Sequence, residues 1–343
     1  MEFDIPPRSE TAMAAARDRQ ESLTKPPGSL GRLETLSVEI AGMTGDPTPS
    51  LESPVITTVA GDHGVVAEGV SAFPQEVTAQ MVANLANDGA AVNALSGVPN
   101  AKNLIVDLGV AQSEYPGRED VIVKSVGSGT ANIAEGAAMS EQQARRAIEA
   151  GREVVQEHAV DADVIGLGDM GIGNTTPSAA ITAAITGADP KTVTDHGTGI
   201  DDEAFERKVA VVEQALEAES PDPTDGLDVL RSVGGFEIGG LAGIALEAAS
   251  RRIPVVVDGF ITGAGALVAS RIDERVTEYL LPSHSSVESG HAVQYEALDL
   301  EPLFDLEMRL GEGTGAALGI AIYQGACDTL SKMATFEEAG VSN

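Results

Sequence analysis

The stretch Val164-Ile165-Gly166-Leu167-Gly168-Asp169-Met170-Gly171-Ile172-Gly173-Asn174-Thr175-Thr176-Pro177 decides the fold. Its apolar opening has the length of a strand buried on both faces, and it then turns through glycines. Apolar residues at Ala180, Ile181, Ala184 and Ile185 follow at helical spacing. A strand, a glycine-rich turn and a helix make one unit of a parallel α/β sheet. Glycines let backbone approach a ligand closely, and free N–H groups at a helix start favour an anion. Thr175 and Thr176 add hydroxyl donors, and Pro177 suits the first helical turn. Gly166, Gly168 and Gly171 also satisfy GxGxxG, a weak pattern by itself. Asp189 lies at about the distance of a ribose-binding acid, but in a turn. A mononucleotide phosphate loop, a dinucleotide site and simple strand–helix packing all remain open for this segment.

Other short β-branched runs end in Gly or Asp. They are Val55 to Ala60, Leu104 to Leu108, Val121 to Val126 and Pro254 to Val257. Helical patterns lie between some of them. Ser140-Glu141-Gln142-Gln143 has the form of a capping box, and Ala144, Ala147, Ile148, Gly151, Val154 and Val155 follow on one face. Phe205, Val209, Val212 and Leu216 mark a second stripe. The alternation predicts an α/β fold with a mainly parallel sheet and ligands at the carboxyl ends of its strands. Residues 1–50 and 305–343 read as helical, so the two termini are expected to meet in a small helical domain. Residues 51–304 would then form the large α/β catalytic domain.

The composition narrows the partners. The chain of 343 residues has a formal net charge of -32, which repels nucleic-acid backbones and anionic membrane surfaces. Aromatic residues are 3% of it, too few for broad base-stacking platforms. Only six of the 21 basic residues are Lys, and this acid-rich, Lys-poor balance predicts adaptation to high salt. Cys327 is the single cysteine and is expected to be a buried small hydrophobe. No signal peptide or long apolar run is visible, so a cytoplasmic protein is expected.

Glu312 stands out as an acid between Gly311 and Gly313, ahead of an apolar helix. A helix N-terminus favours the ionised form and burial opposes it, which suits a general base. An ordinary acidic helix start is the bland reading. Lys208 sits at the margin of its helical stripe; spacing favours a snorkelling lysine over a phosphate ligand. Asp62, His63 and Asp258 follow strand ends, where ligands are often met. The five histidines show no metal-ligand spacing, so no metal is expected.

In these segments the sequence resembles the nicotinate-nucleotide:dimethylbenzimidazole phosphoribosyltransferase family. The matching stretches are Lys25 to Glu34, Gly61 to Val65, Gly173 to Pro177, Val233 to Glu237, Asp258 to Phe260, Pro282 to His284 and Arg309 to Gly313, in the family's order. The resemblance implies a Rossmann-like large domain with a small helical one, and a homodimer. It implies transfer of the 5-phosphoribosyl group of nicotinate mononucleotide to 5,6-dimethylbenzimidazole in cobalamin biosynthesis, with no metal or organic cofactor. Glu312 falls on the family's catalytic glutamate. Gly171, Gly173, Asn174, Thr175 and Lys208 fall on its phosphate positions, with Thr176 beside them. Phe73, Met81 and Leu310 fall on or near the wall around the base. Asp169 stands where several members carry Glu, one methylene longer, which leaves the acceptor less defined than the reaction. Asp62, His63, Asp258 and Ser283 are further substrate-site candidates. Two other functions remain open on residues alone: an NAD-dependent dehydrogenase, and a non-catalytic nucleotide-binding module.

Overall fold

In the computed structural model, which describes residues 2–112, 114–197 and 199–342, six strands form one all-parallel sheet. They are β1 (Pro54–Gly61), β2 (Lys102–Gly109), β3 (Ile122–Val123), β4 (Val164–Met170), β5 (Val255–Val257) and β6 (Leu280–Pro282). Their order is β3-β2-β1-β4-β5-β6. Strand order reverses between β1 and β4, and in such sheets the crevice outside the carboxyl ends at that point is where ligands bind.

Every residue of β1 is buried, as is β4 up to Asp169. Helices cover both faces, so neither strand needs polar residues on alternate positions. The run from Val121 to Val126 shortens to the two-residue edge strand β3, because only Ile122 and Val123 pair with β2. Strand β6 was not expected. It has three residues, too few for a period, and Pro282 is tolerated because β6 is an edge.

The helices used below are α1 (Glu10–Ser22), α2 (Arg32–Thr44), α3 (Glu76–Ala86), α4 (Ala91–Leu95), α5 (Glu141–His158), α6 (Thr175–Thr186), α7 (Asp202–Glu219), α8 (Phe236–Ser250), α9 (Phe260–Ile272) and α10 (Thr314–Lys332). The capping box at α5 forms as the sequence predicts: Ser140 Oγ accepts the Gln143 amide, and Gln143 Oε1 accepts the Ser140 amide. Its expected stripe, Ala144 to Val155, is the buried face. Helix α10 packs on one face of the sheet, where Ala316 and Ile320 lie against Gly166. Helix α8 packs on the other, where Gly240 meets Val59 and Leu108.

The termini do come together. Ala16, Val38, Ala41 and Leu330 form a small apolar cluster between α1, α2 and α10. Arg19 donates to the carbonyls of Leu330, Ser331 and Met333, satisfying groups that a helix end leaves unpaired. Leu23 bridges antiparallel to Thr335. Leu36, Ile40 and Met43 of α2 nevertheless belong to the main core, which is therefore continuous with this helical layer. Helix α10 begins at Thr314 rather than near 305, since three left-handed residues precede it. Cys327 is buried on it. Among the described residues, no helix is long and apolar enough to cross a membrane.

Candidate active site

A cavity of about 340 Å³ opens at the carboxyl ends of the strands, a size typical of small-molecule sites. It is lined by the loops after β1, β4, β5 and β6 and by the turn before α10. Ten of the residues expected in the site face it together: Glu312, Asp169, Gly171, Gly173, Asn174, Thr175, Lys208, Phe73, Met81 and Leu310.

Gly311, Glu312 and Gly313 have φ of +83°, +63° and +94°. A non-glycine residue held in this region costs roughly 1–3 kcal/mol and persists only where its surroundings enforce it. Here they do. The Thr58 hydroxyl donates to the Glu312 carbonyl at 2.9 Å. Asp258 accepts the amides of Gly313 at 3.1 Å and Ala316 at 2.9 Å. It thereby caps α10, whose own N-cap, Gly313, has no side chain to do so. The sequence suggested that the start of α10 would favour the Glu312 carboxylate. Asp258 occupies those amides instead, and Glu312 is favoured by the amides of Ala91 and Val92 at the start of α4.

Glu312 is 4% exposed, and its Oε2 has no hydrogen-bond partner among the described residues. Burial raises its pKa above the ordinary carboxylate value, against the lowering effect of the Val92 and Ala91 amides. Asp169 is pushed well above its ordinary value by burial and by the nearby Asp258 charge, against the Asn174 amide that donates to its Oδ2 at 2.8 Å. Burial pushes Asp258 up to about 7, against the amides it caps. The pocket thus places Asp169, whose ionisation burial strongly disfavours, in the same cavity as Glu312. Buried carboxyls with raised pKa values gathered in one cavity mark a candidate functional site.

The opposite side is built around Lys208. This residue does not snorkel: it is 1% exposed, and its Nζ donates to Thr175 Oγ1 and to the Asp195 carbonyl, both at 2.8 Å. Burial lowers its pKa to about 8, while Glu288 and Asp195 act to raise it. The loop from Gly171 to Thr175 runs directly into α6 and lines the cavity beside this cation, where a helix start favours an anion.

Five expected residues do not line the cavity. The Thr176 side chain is fully buried, with no partner for its hydroxyl among the described residues. Asp62 accepts the Ala111 amide at 2.7 Å, and His63 pairs with Glu237 at 2.8 Å beneath the Gly171 turn. Asp258 holds the Glu312 turn, and the Ser283 hydroxyl donates to the Asp258 carbonyl at 2.7 Å. These strand-end residues support the site from behind.

The sequence missed several lining residues. Glu288 is buried with Oε2 unpaired among the described residues, and burial raises its pKa against the pull of Lys208. His196 stacks on Phe205 at 4.7 Å, and Arg309 donates to the Gly197 carbonyl at 2.9 Å. Glu288 and His196 sit in no recognisable pattern, and Arg309, though it opens the matching stretch Arg309 to Gly313, was not singled out as a site residue. The apolar place of Phe205 in its stripe was legible, but not its ring partner.

The three glycines of the GxGxxG pattern have other duties. A Cβ on Gly166 would press on Ala316 and Ile320, and one on Gly168 would collide with the Glu312 carbonyl. Gly171 backs onto the Gly61 carbonyl. The first two glycines admit α10 and the Glu312 turn to the sheet. With Asp189 capping the short helix Pro190–Val193, nothing supports a dinucleotide site or a dehydrogenase.

Comparison with known proteins agrees with this geometry. A family described as phosphoribosyltransferase matches residues 5–341. A protein of Roseiflexus sp. (strain RS-1) named nicotinate-nucleotide--dimethylbenzimidazole phosphoribosyltransferase is 55% identical over 340 residues, 98% of this chain and 96% of that one. A protein of the same name from Syntrophotalea carbinolica is 50% identical over the same shares. The crystal structure of CobT from Thermus thermophilus superposes with a TM-score of 0.92 at 44% identity, covering 97% of this chain and 99% of that one. The chain belongs to the nicotinate-nucleotide:dimethylbenzimidazole phosphoribosyltransferase family.

Proposed function

We propose that this chain transfers the 5-phosphoribosyl group of nicotinate mononucleotide to 5,6-dimethylbenzimidazole or a related base, giving α-ribazole 5'-phosphate and nicotinate for cobalamin biosynthesis. One observation carries the mechanism: Glu312, buried and with its Oε2 unpaired among the described residues, lines the same cavity as Lys208 and the Gly171–Thr175 loop.

The loop amides, the Thr175 hydroxyl and Lys208 hold the donor phosphate. Cleavage of the glycosidic bond leaves the electron pair on the pyridinium nitrogen, so nicotinate departs with a neutral ring and needs no proton. The unprotonated nitrogen of the acceptor attacks C1' from the opposite face, converting β to α. Its other nitrogen becomes acidic, and Glu312 takes that proton. A positioned base contributes about 10²–10⁴-fold. Phe73, Met81 and Leu310 hold the flat base. Asp169, whose ionisation burial disfavours, lines the cavity where it can hydrogen-bond the acceptor. Incubating the protein with nicotinate mononucleotide and dimethylbenzimidazole tests the reading; no nicotinate release in either low or high salt would reject it.

Three further readings accompany this one. The layer of α1, α2 and α10 acts as a small helical domain, supported by its own apolar cluster. The chain is a homodimer: Phe73 and Leu310 are exposed at the cavity mouth, and exposed Val287 and Leu306 lie on the segments carrying Glu288 and Arg309. Light-scattering mass measurement tests that. The charge of -32 supports adaptation to high salt.

A further inference from the structure

The phosphate loop and the acceptor wall come from different parts of the chain. The loop follows β4. Val77 and Met81, which face the cavity on the acceptor side, stand on α3. Transfer requires the ribose C1' held by one and the base nitrogen held by the other to meet in line, about 3–3.5 Å apart. Something must fix the distance between the two supports.

Thr78 follows Val77 on α3 and is fully buried. Its Oγ1 accepts the amide of Ile172 at 3.0 Å, in the middle of the phosphate loop. The loop's other amide bonds at this turn, Asn174 to Gly171 and Thr176 to Gly173, are internal and tie it to nothing outside. The Asp62 carboxyl lies beside the Thr78 hydroxyl and is itself anchored at the end of β1 by the Ala111 amide. Asp62 was a substrate-site candidate by sequence; its place behind Thr78 gives it a supporting one.

We propose that Thr78 is a positioning residue for the transfer: its hydroxyl joins the acceptor-wall helix to the donor phosphate loop and sets the distance between the two substrates. The proposal rests on the reaction proposed above. A hydroxyl with this duty affects the meeting of two bound substrates more than the binding of either one.

The test compares Thr78→Val, which keeps the shape and removes the hydroxyl, with Thr78→Ser, which keeps the hydroxyl. For Val, kcat is expected to fall roughly 10–100-fold, the scale of a misplacement of about 1 Å. Dissociation constants for nicotinate mononucleotide and for dimethylbenzimidazole, each measured alone, should change little. The acid limb of the pH profile, set by Glu312, should stay in place, and Ser should recover most of the rate. Wild-type kcat in Val, an equal loss in Ser, or a loss explained wholly by weaker donor binding would overturn the proposal. If Val does not fold, Thr78→Ala against Thr78→Ser asks the same question with the same outcomes. Failure of the underlying reaction would look different, because the unmodified enzyme would then release no nicotinate.

Discussion

Lys208 and Leu310 face one cavity under opposite conditions. The lysine is 1% exposed and held by two acceptors, whereas Leu310 is 59% exposed and Phe73 46%. On the proposed reading, the donor side is enclosed by this chain and the acceptor side stays open to solvent. The difference follows from what each side must bind. A phosphate needs charges and amides fixed in a low-dielectric setting, and organising those in advance avoids a cost at the moment of reaction. A flat apolar base gains chiefly from losing water on both faces, so its wall can be completed by the base itself or by a second copy of the chain.

Glu312→Gln should have the largest effect, since Glu312 stands where the two sides meet. A fall in kcat of about 10²–10⁴-fold is expected, with an unchanged melting temperature. Near-normal turnover would remove the base from the mechanism and leave the comparison without a centre. Lys208→Met should come next. Losing a charge-assisted contact worth about 1.5–3 kcal/mol should raise the KM for nicotinate mononucleotide roughly 10–100-fold while leaving acceptor affinity alone. An equal rise for both substrates would break the division into two sides.

The pH profile of kcat/KM sharpens it further. Glu312 must be ionised, and its raised pKa places the acid limb above the ordinary carboxylate range. Lys208 must be protonated, so donor use should decline as pH rises through about 8. Away from each limb the rate should drop about tenfold per pH unit. Lys208→Met should abolish the alkaline limb and keep the acid one.

Leu310→Ala and Phe73→Ala should matter less. Half-exposed side chains contribute about 1 kcal/mol or less of burial, so an acceptor KM some fivefold higher is expected in steady-state assays. A much larger loss would mean that the acceptor wall is more enclosed in solution than in one chain, as a dimer would make it. The smallest effect concerns the whole surface. Molar KCl shortens the screening distance to about 3 Å, so the melting temperature should rise by several degrees from dilute buffer. Equal stability in both would argue against salt adaptation.

The sheet was legible because buried parallel strands write themselves as unbroken apolar runs. Val164 to Leu167 and Val55 to Ala60 needed no context. Strand β6 was not legible, since three residues carry no period. The site divides in the same way. Glu312 and the Gly171–Thr175 loop were visible as glycine-framed local patterns. Lys208 was misjudged by spacing, because whether a lysine at a stripe's margin reaches water depends on Thr175 and Asp195, which spacing does not show. Glu288 and Thr78 were invisible, since their meaning lies in contacts with distant segments. Asp258 was noticed for the right reason, a strand end, and has a supporting role there instead of a substrate contact.

The turn that carries Glu312 has a consequence for how the enzyme is made. It is held by Thr58, Gly168 and Asp258, all synthesised well before it. A chain emerges from its N-terminus, whereas a domain folds as a unit once its core is complete. The residues that hold the turn are thus all made before it, and Glu312 is the last-made residue of the cavity lining. A chain interrupted before residue 311 would lack Glu312 together with α10, so it would lose the proposed base and the cover of one face of the sheet at once.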